Sequence, residues 1–236
     1  MALCQWWSWC SSPLDLAVWY GHYDAAKLLI ENGADMGHSD KKRRRTPVGI
    51  AIYRGYVDMV KMMVDHGAKV SIPMDCSVKH SAMIELLLDL SNTDINEARY
   101  TWFGTLLEHA VSTEATDTVR MLLSRGADPT IVSHLCLGGT LLHRYYGDDV
   151  DMVDLLVRSG VDMNATTEFK KTLLHQAAAH GMGNVANYLM EHRAIPTHVV
   201  NGGMPYINGM PSQIAEARGH IDLAARLREY EASYSS

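Results

Sequence analysis

The sequence predicts an all-α solenoid built from short helices that stack in pairs, and three observations lead to this fold class. The first is that residues 12–36 read as one helix–turn–helix unit. Ser12 followed by Pro13 is typical of a helix start. Gly21 and Gly33 are placed to end the two helices in a left-handed conformation. Two helices of this length cannot bury their apolar faces alone, so the unit requires neighbouring copies.

The other two observations are the period of these copies and their number. Thr46, Gly55 and Gly67 each lie 34 residues after their counterparts in the first unit. A degraded copy begins near Ile72. Four more copies share a threonine or methionine start, at Thr105, Thr140, Thr172 and Met210. Seven copies near one period predict a repeat array, in which each repeat contacts only its neighbours.

The repeated segments resemble a known family. TLLHRY at 140–145 and TLLHQA at 172–177 are similar to the start of the ankyrin repeat, whose pattern is T-P-L-H-x-A followed by G-H and G-A-D. The resemblance covers about residues 12–230 and implies an ankyrin-repeat helical solenoid with short β-turn fingers. We predict a Trp-rich N-terminal lid at 1–11 and a single array at 12–235. Its repeats are expected near 12–45, 46–71, 72–104, 105–139, 140–171, 172–209 and 210–235.

The composition argues against several classes of protein. A formal net charge of −6 leaves no basic footprint for direct nucleic-acid binding. No apolar run approaches the ~18 residues of a membrane span, and the first residues do not read as a secretory signal. The cysteines match no metal spacing and read as free thiols in a reducing compartment, so we expect a cytoplasmic or nuclear protein without metal or cofactor. They are Cys4, Cys10, Cys76 and Cys136.

The N-terminal segment 1–11 carries Trp6, Trp7 and Trp9. We predict that these rings cover the open end of the first repeat, because aromatic side chains bury a large area. A partner-binding aromatic patch is the alternative. A third interpretation is that the chain was cut from a longer array, because solenoid ends usually carry a polar cap.

A run of five cations lies between the first two repeats and is formed by Lys41, Lys42, Arg43, Arg44 and Arg45. The ankyrin resemblance places this basic finger on a β-turn that projects from the array. Such a run resembles a short nuclear-import signal or a contact for an acidic partner. A solvated loop without a partner is the alternative.

The resemblance also implies where partners bind, because ankyrin arrays present finger tips and the free, concave face of their inner helices. The fourth, seventh and eighth positions after the capping residue are expected to face outward there. In the first two repeats these positions hold Leu16, Trp19, Tyr20, Ile50, Tyr53 and Arg54. Trp, Tyr and Arg are the residues most enriched in binding hot spots. We therefore predict this surface as the main contact, and burial against neighbouring fingers is the alternative.

The repeats from the third to the fifth are irregular. Glu114 stands where other repeats have a turn glycine, so we expect this turn to differ. Two adjacent tyrosines replace small residues at 145–146, and at least one of them should face outward. The irregular part either packs its aromatics as filler or forms a pocket. The candidate pocket residues are Trp102, His109, Tyr145 and Tyr146.

Catalytic chemistry has one weak candidate. A carboxylate beside an imidazole can act in general acid–base catalysis, and Glu108, His109 and Asp148 form the best such group. However, Glu108 occupies the position of the pattern histidine, as do His143 and His175, and the resemblance gives that position a structural role at the joint between repeats. The predicted function is therefore a protein-binding scaffold. The alternatives are a structural subunit of a larger complex, or an enzyme or small-molecule binder with a pocket at the irregular repeats.

Overall fold

The structure is a computed structural model of the chain. It describes residues 12–38, 46–70, 80–91, 94–97, 104–131, 139–196 and 209–234. The chain divides into two compact units, Met1–Asp94 (unit 1) and Ile95–Ser236 (unit 2), and each is described by itself. Regular secondary structure in the described residues is helical, which confirms the all-α prediction.

Unit 1 contains two helix pairs and one further helix in its described part. They are α1 (Pro13–Trp19), α2 (Tyr23–Glu31), α3 (Pro47–Arg54), α4 (Val57–Asp65) and α5 (Ser81–Ser91). The helices form two rows, because α1 packs beside α3 and α2 beside α4. Val18, Ala26, Ala51, Val60 and Met63 have no exposed surface and form the centre of the core between the rows.

Unit 2 repeats this arrangement. Its helices are α6 (Leu106–Ser112), α7 (Thr116–Ser124), a 3₁₀ helix (Leu141–Arg144), α8 (Val150–Arg158), α9 (Leu173–His180), α10 (Gly183–Glu191), α11 (Pro211–Ala217) and α12 (Ile221–Tyr234). One row consists of α6, the 3₁₀ helix, α9 and α11, and each of them packs on the next. The second row contains α7, α8 and α10. The inner helix of the fifth repeat is thus reduced to a single 3₁₀ turn.

The starts of the first helices follow the predicted caps. The Ser12 hydroxyl accepts a hydrogen bond from the Asp15 N–H at 3.1 Å, and the Asp15 carboxylate accepts one from the Ser12 N–H at 3.1 Å. Thr46 caps α3 in the same way through the Gly49 N–H, at 3.2 Å. These hydrogen bonds satisfy backbone donors that have no partner within the helix, so each cap stabilises its helix by about 1 kcal/mol.

The helical pattern of the second helix in the sequence predicts a buried apolar stripe of Ala25, Ala26, Leu28, Leu29 and Ile30, and this prediction is partly wrong. Ala26 and Ile30 are buried as expected, but Ala25 is exposed and Leu28 retains 61% of its surface. Residues four apart lie on one side of a helix, and α2 turns the side of Ala26 and Ile30 toward α1 and α4. Leu28 is therefore an exposed aliphatic residue on the outer row of unit 1.

The turns confirm the predicted glycines and correct one expectation. Gly21, Gly55 and Gly181 all have positive φ, at 74°, 77° and 70°. Glu114 adopts the same conformation with φ 58°, so the expectation that its turn differs is wrong. The Ala115 N–H bonds to the Ala110 carbonyl at 2.9 Å, as in the glycine turns. The packing of the helices on both sides therefore outweighs a strain of roughly 1–2 kcal/mol.

A second strained residue gives a direct test of this balance. Arg193 has φ 57° at the end of α10, where the corresponding residue after α8 is Gly160 with φ 97°. We expect Arg193→Gly to raise the free energy of unfolding by about 1 kcal/mol, because glycine adopts a positive φ without the Cβ clash. Urea denaturation followed by circular dichroism measures the change.

Gly160→Ala is the matched control. Its Cβ would meet nothing within 4 Å, so the substitution tests the backbone conformation alone. We expect a loss of about 1 kcal/mol. If Arg193→Gly also destabilises the protein, the arginine side chain contributes more than its backbone conformation costs.

The joints between repeats use the predicted histidines. His143 Nδ1 accepts a hydrogen bond from the Thr140 N–H at 3.0 Å, so the proton lies on Nε2, which donates to the Lys171 carbonyl at 3.0 Å. His175 Nδ1 likewise accepts from the Thr172 N–H at 3.2 Å and lies 2.8 Å from the Thr172 hydroxyl. Burial lowers the pKa of His143, which keeps it neutral in this role. The structural role expected for both histidines is confirmed.

Candidate protein-binding surface

Four side chains of unit 1 form a connected group at the ends of α1 and α3, and we call Trp19, Tyr53, Arg54 and Tyr56 the aromatic–arginine cluster. The rings of Trp19 and Tyr53 stack with centroids 6.4 Å apart and planes 15° from parallel. The Arg54 guanidinium lies over the Trp19 ring at 5.1 Å. Such cation–π contacts stabilise by about 0.5–1 kcal/mol at exposed sites, so the three side chains hold one another in place.

Tyr56 is a part of this cluster that was not predicted from the sequence. The Arg54 Nη2 donates to the Tyr56 hydroxyl at 3.3 Å, and the guanidinium lies 5.7 Å from the Tyr56 ring centroid. A Cβ added to Gly21 would come within 3.0 Å of the Tyr56 ring, so this glycine leaves the space in which the ring lies. The available signal was the register: Tyr56 follows Gly55 as His22 follows Gly21.

Exposure differs among the residues predicted to face outward. Tyr20, Tyr53 and Leu16 are exposed by 62%, 40% and 37%, and Arg54 is exposed as well. Trp19 is half-buried under the cluster. Ile50 is 3% exposed, so the expectation that it faces a partner is wrong. It is covered because α1 precedes α3 and packs against it, whereas no described helix precedes α1.

Three features singled out in the sequence lie outside the described residues. These are the Trp-rich segment 1–11, the basic finger 41–45 and the pocket candidate Trp102. The predictions made for them stay predictions.

The remaining pocket candidates do not line an open cavity together. Tyr145 is fully buried, so its expected place in a pocket wall is wrong. Its hydroxyl accepts from the Asp149 N–H at 2.8 Å and donates to the Asp149 carbonyl at 3.1 Å. Tyr146 is 56% exposed and meets the His180 ring edge to face at 5.2 Å, which confirms that one of the two tyrosines faces outward. For the third candidate, His109, burial lowers the pKa and the Arg144 charge lowers it further.

The acid–base candidates serve the ends of helices. Glu108 has no exposed surface, and its carboxylate accepts from the Thr105 N–H at 2.8 Å. Asp148 accepts from the backbone N–H groups of Asn184 and Val185 at the start of α10, at 3.2 and 2.9 Å. Both carboxylates therefore bind backbone amides, which matches the structural role expected for Glu108.

His38 links α1 to the segment that precedes the basic finger. Its Nδ1 bonds to the Asp35 carbonyl at 2.8 Å, and its Nε2 lies 2.9 Å from Oδ2 of the buried Asp15. The hydrogen bond to Asp35 and then the one to Asp15 raise the pKa of His38 above its usual 6.5. The contact therefore contributes its full stability below pH ~6.5 and loses it as the pH rises through the raised pKa.

We expect Asp15→Asn to shift the titration of His38 to lower pH, because the substitution removes the negative charge but keeps an acceptor for the helix cap. An imidazole ¹H–¹⁵N NMR titration of both proteins measures the shift. His38→Gln should destabilise the protein most below pH ~6.5. An unchanged titration in Asp15→Asn would show that the Asp35 carbonyl alone raises the pKa.

Two other kinds of feature are absent from the described residues. No described helix is both long enough and apolar enough to span a membrane. Within the same ranges, no three His, Cys, Asp or Glu side chains gather as metal ligands would.

Comparisons with known proteins show what this chain is similar to. A family model of ankyrin repeats (three copies) matches residues 14–99. The B-cell lymphoma 3 protein homolog of Mus musculus is 27% identical over 159 residues, which are 66% of this chain and 34% of that protein. The chain thus spans about a third of the length of this curated relative. The structure is also similar to the crystal structure of the ankyrin repeat domain of Bcl-3, which is described as a unique member of the IkappaB protein family. The two match with a TM-score of 0.64 and 26% sequence identity, over 90% of this chain and 97% of the Bcl-3 chain.

Rows of paired helices closed by left-handed glycine turns define a helical-repeat protein. The family match shows ankyrin repeats at residues 14–99, and the structural match shows that the chain has the fold of an ankyrin repeat domain. The resemblance stated from the repeated segments is therefore confirmed.

Proposed function

We propose that this protein is a non-catalytic module that binds another protein through the aromatic–arginine cluster and the exposed residues beside it, Leu16 and Tyr20. The observation that carries the proposal is the stack of Trp19 and Tyr53 under Arg54 at an exposed surface. Trp, Tyr and Arg dominate binding hot spots because they combine a large contact area with a polar tip. Ankyrin repeats are in general interaction modules, which supports the same class of function.

The geometry of the cluster also favours binding on entropic grounds. An interface loses about 0.5–1.5 kcal/mol for each flexible side chain that it immobilises. Trp19, Tyr53 and Arg54 already restrain one another in the free protein, so less of this loss falls on the binding step. Tyr20 then adds the most exposed aromatic side chain of the surface.

The similarity to the ankyrin repeat domain of Bcl-3, a member of the IkappaB protein family, supports a protein as the partner, and we propose the cytoplasm or nucleus as the compartment in which the two meet. A fixed place in a larger assembly would use the same exposed surface, so it is a variant of this proposal. For the basic finger 41–45 we propose a second contact, to an acidic partner or to the nuclear-import machinery, because its five consecutive cations attract anionic surfaces.

Site-specific photo-crosslinking tests the proposed surface. A photoreactive phenylalanine analogue is placed at Tyr20, which is 62% exposed beside the cluster, and in a separate protein at Leu28, which is 61% exposed on α2. The two probes have nearly equal access to solvent and differ only in their surface. We expect illumination in cells to yield a discrete crosslinked protein from the Tyr20 probe, which mass spectrometry then identifies.

The Leu28 probe is the control for adventitious capture. Equal crosslinking from both positions, or crosslinking from Leu28 alone, would overturn the proposed surface. Trp19→Ala in the Tyr20 probe protein should abolish the specific crosslink, because Trp19 supports Arg54 and Tyr53.

A further inference from the structure

A separate surface in unit 2 gathers basic side chains around α9 and the end of α11. His180 is the last residue of α9, Arg218 directly follows α11, and the two helices pack on each other. The His220 ring lies against Gly181, where an added Cβ would come within 2.6 Å of the ring. Lys171 lies just before the start of α9. We call Lys171, His180, Arg218 and His220 the cationic patch, and Tyr146 borders it through its 5.2 Å contact with His180.

The charges of this patch act on one another. Burial lowers the pKa of Lys171, and the Arg218 charge lowers it further. Burial also lowers the pKa of His180, and the charges of Lys171, Arg218 and His220 lower it further. All the charges that shift these two groups in the described structure are therefore positive.

The patch has no counterion in the described part of the chain. There, no salt bridge joins Lys171 or Arg218 to a carboxylate. Glu216, two residues before Arg218, is paired instead with Arg228, at 2.7 Å. The protein as a whole carries a formal charge of −6, so this concentration of positive charge runs against its composition. Like charges held together without a counterion repel one another, and a bound anionic group relieves that repulsion.

We propose that the cationic patch, with Tyr146 at its border, binds an acidic segment of a partner protein, in which Asp or Glu side chains pair with Lys171 and Arg218. The proposal concerns unit 2 and is independent of the aromatic–arginine cluster of unit 1. Carboxylates of an extended segment that lie on one side recur about every 7 Å. Neighbouring acids on such a segment can therefore reach basic groups of two adjacent repeats, here Lys171 before the start of α9 and Arg218 after the end of α11.

A nucleic acid is the less suitable occupant. Nucleic-acid binding draws on many Lys and Arg contacts along a strand, whereas this patch has one lysine and one arginine beside its histidines. The net charge of −6 also repels a long polyanion as it approaches. A short acidic peptide needs only the local charges.

The histidines predict how binding depends on pH. The groups that face His180 are Tyr146, Lys171, Arg218 and His220. The pKa of His180 lies below 6.5 in the free protein, so the imidazole is mostly neutral above that pH. A bound carboxylate favours the protonated imidazole, so binding takes up a proton. The affinity for an acidic peptide should therefore rise as the pH falls from about 8 to about 6.

Fluorescence anisotropy with the full chain tests the proposal. The probe is a fluorescein-labelled peptide of alternating Glu and Gly, its neutral control is the same peptide with Gln in place of Glu, and a labelled oligo-dT strand represents nucleic acid. The test variant is Lys171→Gln/Arg218→Gln. The control variant, Arg120→Gln/Arg158→Gln, changes the net charge equally at exposed positions on α7 and α8.

We expect the Glu peptide to bind the wild type and the control variant alike, and the test variant roughly tenfold more weakly. The Gln peptide should not bind. His180→Gln should remove most of the pH dependence. Three results would each overturn the proposal: no binding of the Glu peptide, equal loss in both double variants, or patch-dependent binding of oligo-dT in preference to the peptide.

Two measurements keep the result independent of folding and of the function proposed for unit 1. Thermal unfolding by circular dichroism checks both double variants, and exposed Arg218→Gln alone replaces the test variant if the half-buried Lys171 is needed for stability. Trp19→Ala/Tyr53→Ala should bind the Glu peptide as the wild type does. A failure of the peptide experiment therefore leaves the crosslinking result at Tyr20 untouched, and the reverse is also true.

Discussion

Trp19→Ala/Tyr53→Ala is expected to weaken binding of the partner identified by crosslinking by several kcal/mol. Truncation of a hot-spot residue costs ~2–4 kcal/mol. The two rings stack at 6.4 Å, so their effects overlap and the double variant should lose less than the sum of the single variants. Loss of Trp19 also removes the ring that lies under the Arg54 guanidinium. Isothermal titration calorimetry of the wild type, both single variants and the double variant measures the affinities and their coupling.

The control for this experiment separates binding from folding. Trp19 is half-buried, so its truncation also costs some stability, and urea denaturation must show that the variant is folded under the assay conditions. Tyr53→Ala changes a more exposed side chain and should weaken binding with little loss of stability. Leu28→Ala on α2 should change neither quantity. If the double variant binds as tightly as the wild type, the partner does not contact the aromatic–arginine cluster.

The largest loss of stability is expected at the irregular fifth repeat, where Tyr145→Ala should lower the free energy of unfolding by about 3–5 kcal/mol. Tyr145 is fully buried, and its hydroxyl closes the turn that leads to α8 by bonding both backbone groups of Asp149. Burial raises the pKa of Tyr145 to about 12, so the hydroxyl keeps the proton that it donates. The Gln176 amide in turn donates to the Tyr145 carbonyl.

Two further variants divide this loss into its parts. Tyr145→Phe retains the ring and removes the hydroxyl, so it should cost about 1–3 kcal/mol for the Asp149 backbone groups left without partners. Tyr146→Ala is the neighbouring control, because a side chain that is 56% exposed should change stability by less than about 0.5 kcal/mol. Urea denaturation gives the totals, and amide exchange in α8 and α9 locates the effect. Equal losses at Tyr145 and Tyr146 would contradict this account.

The sequence by itself determined the features that depend on neighbouring residues. A cap such as Ser12 with Asp15 spans one helical turn, and a turn such as Gly21 or Gly55 needs a positive φ that glycine adopts freely. The same local pattern, repeated at a period of 34 residues, predicted paired helices and the ankyrin family, and it placed Tyr20, Tyr53 and Arg54 on an exposed surface.

Only the tertiary structure decided which side chains meet across repeats. Leu16 and Ile50 have the same register, yet the first is exposed and the second is buried because α1 covers α3. Glu114 adopts a left-handed conformation because the helices that it joins are held by their own packing. Lys171 and Arg218 are distant in sequence, yet the Arg218 charge lowers the pKa of Lys171 in the folded chain, where α9 packs on α11. Burial and charge clustering arise from contacts between repeats, and a pattern read one repeat at a time does not contain them.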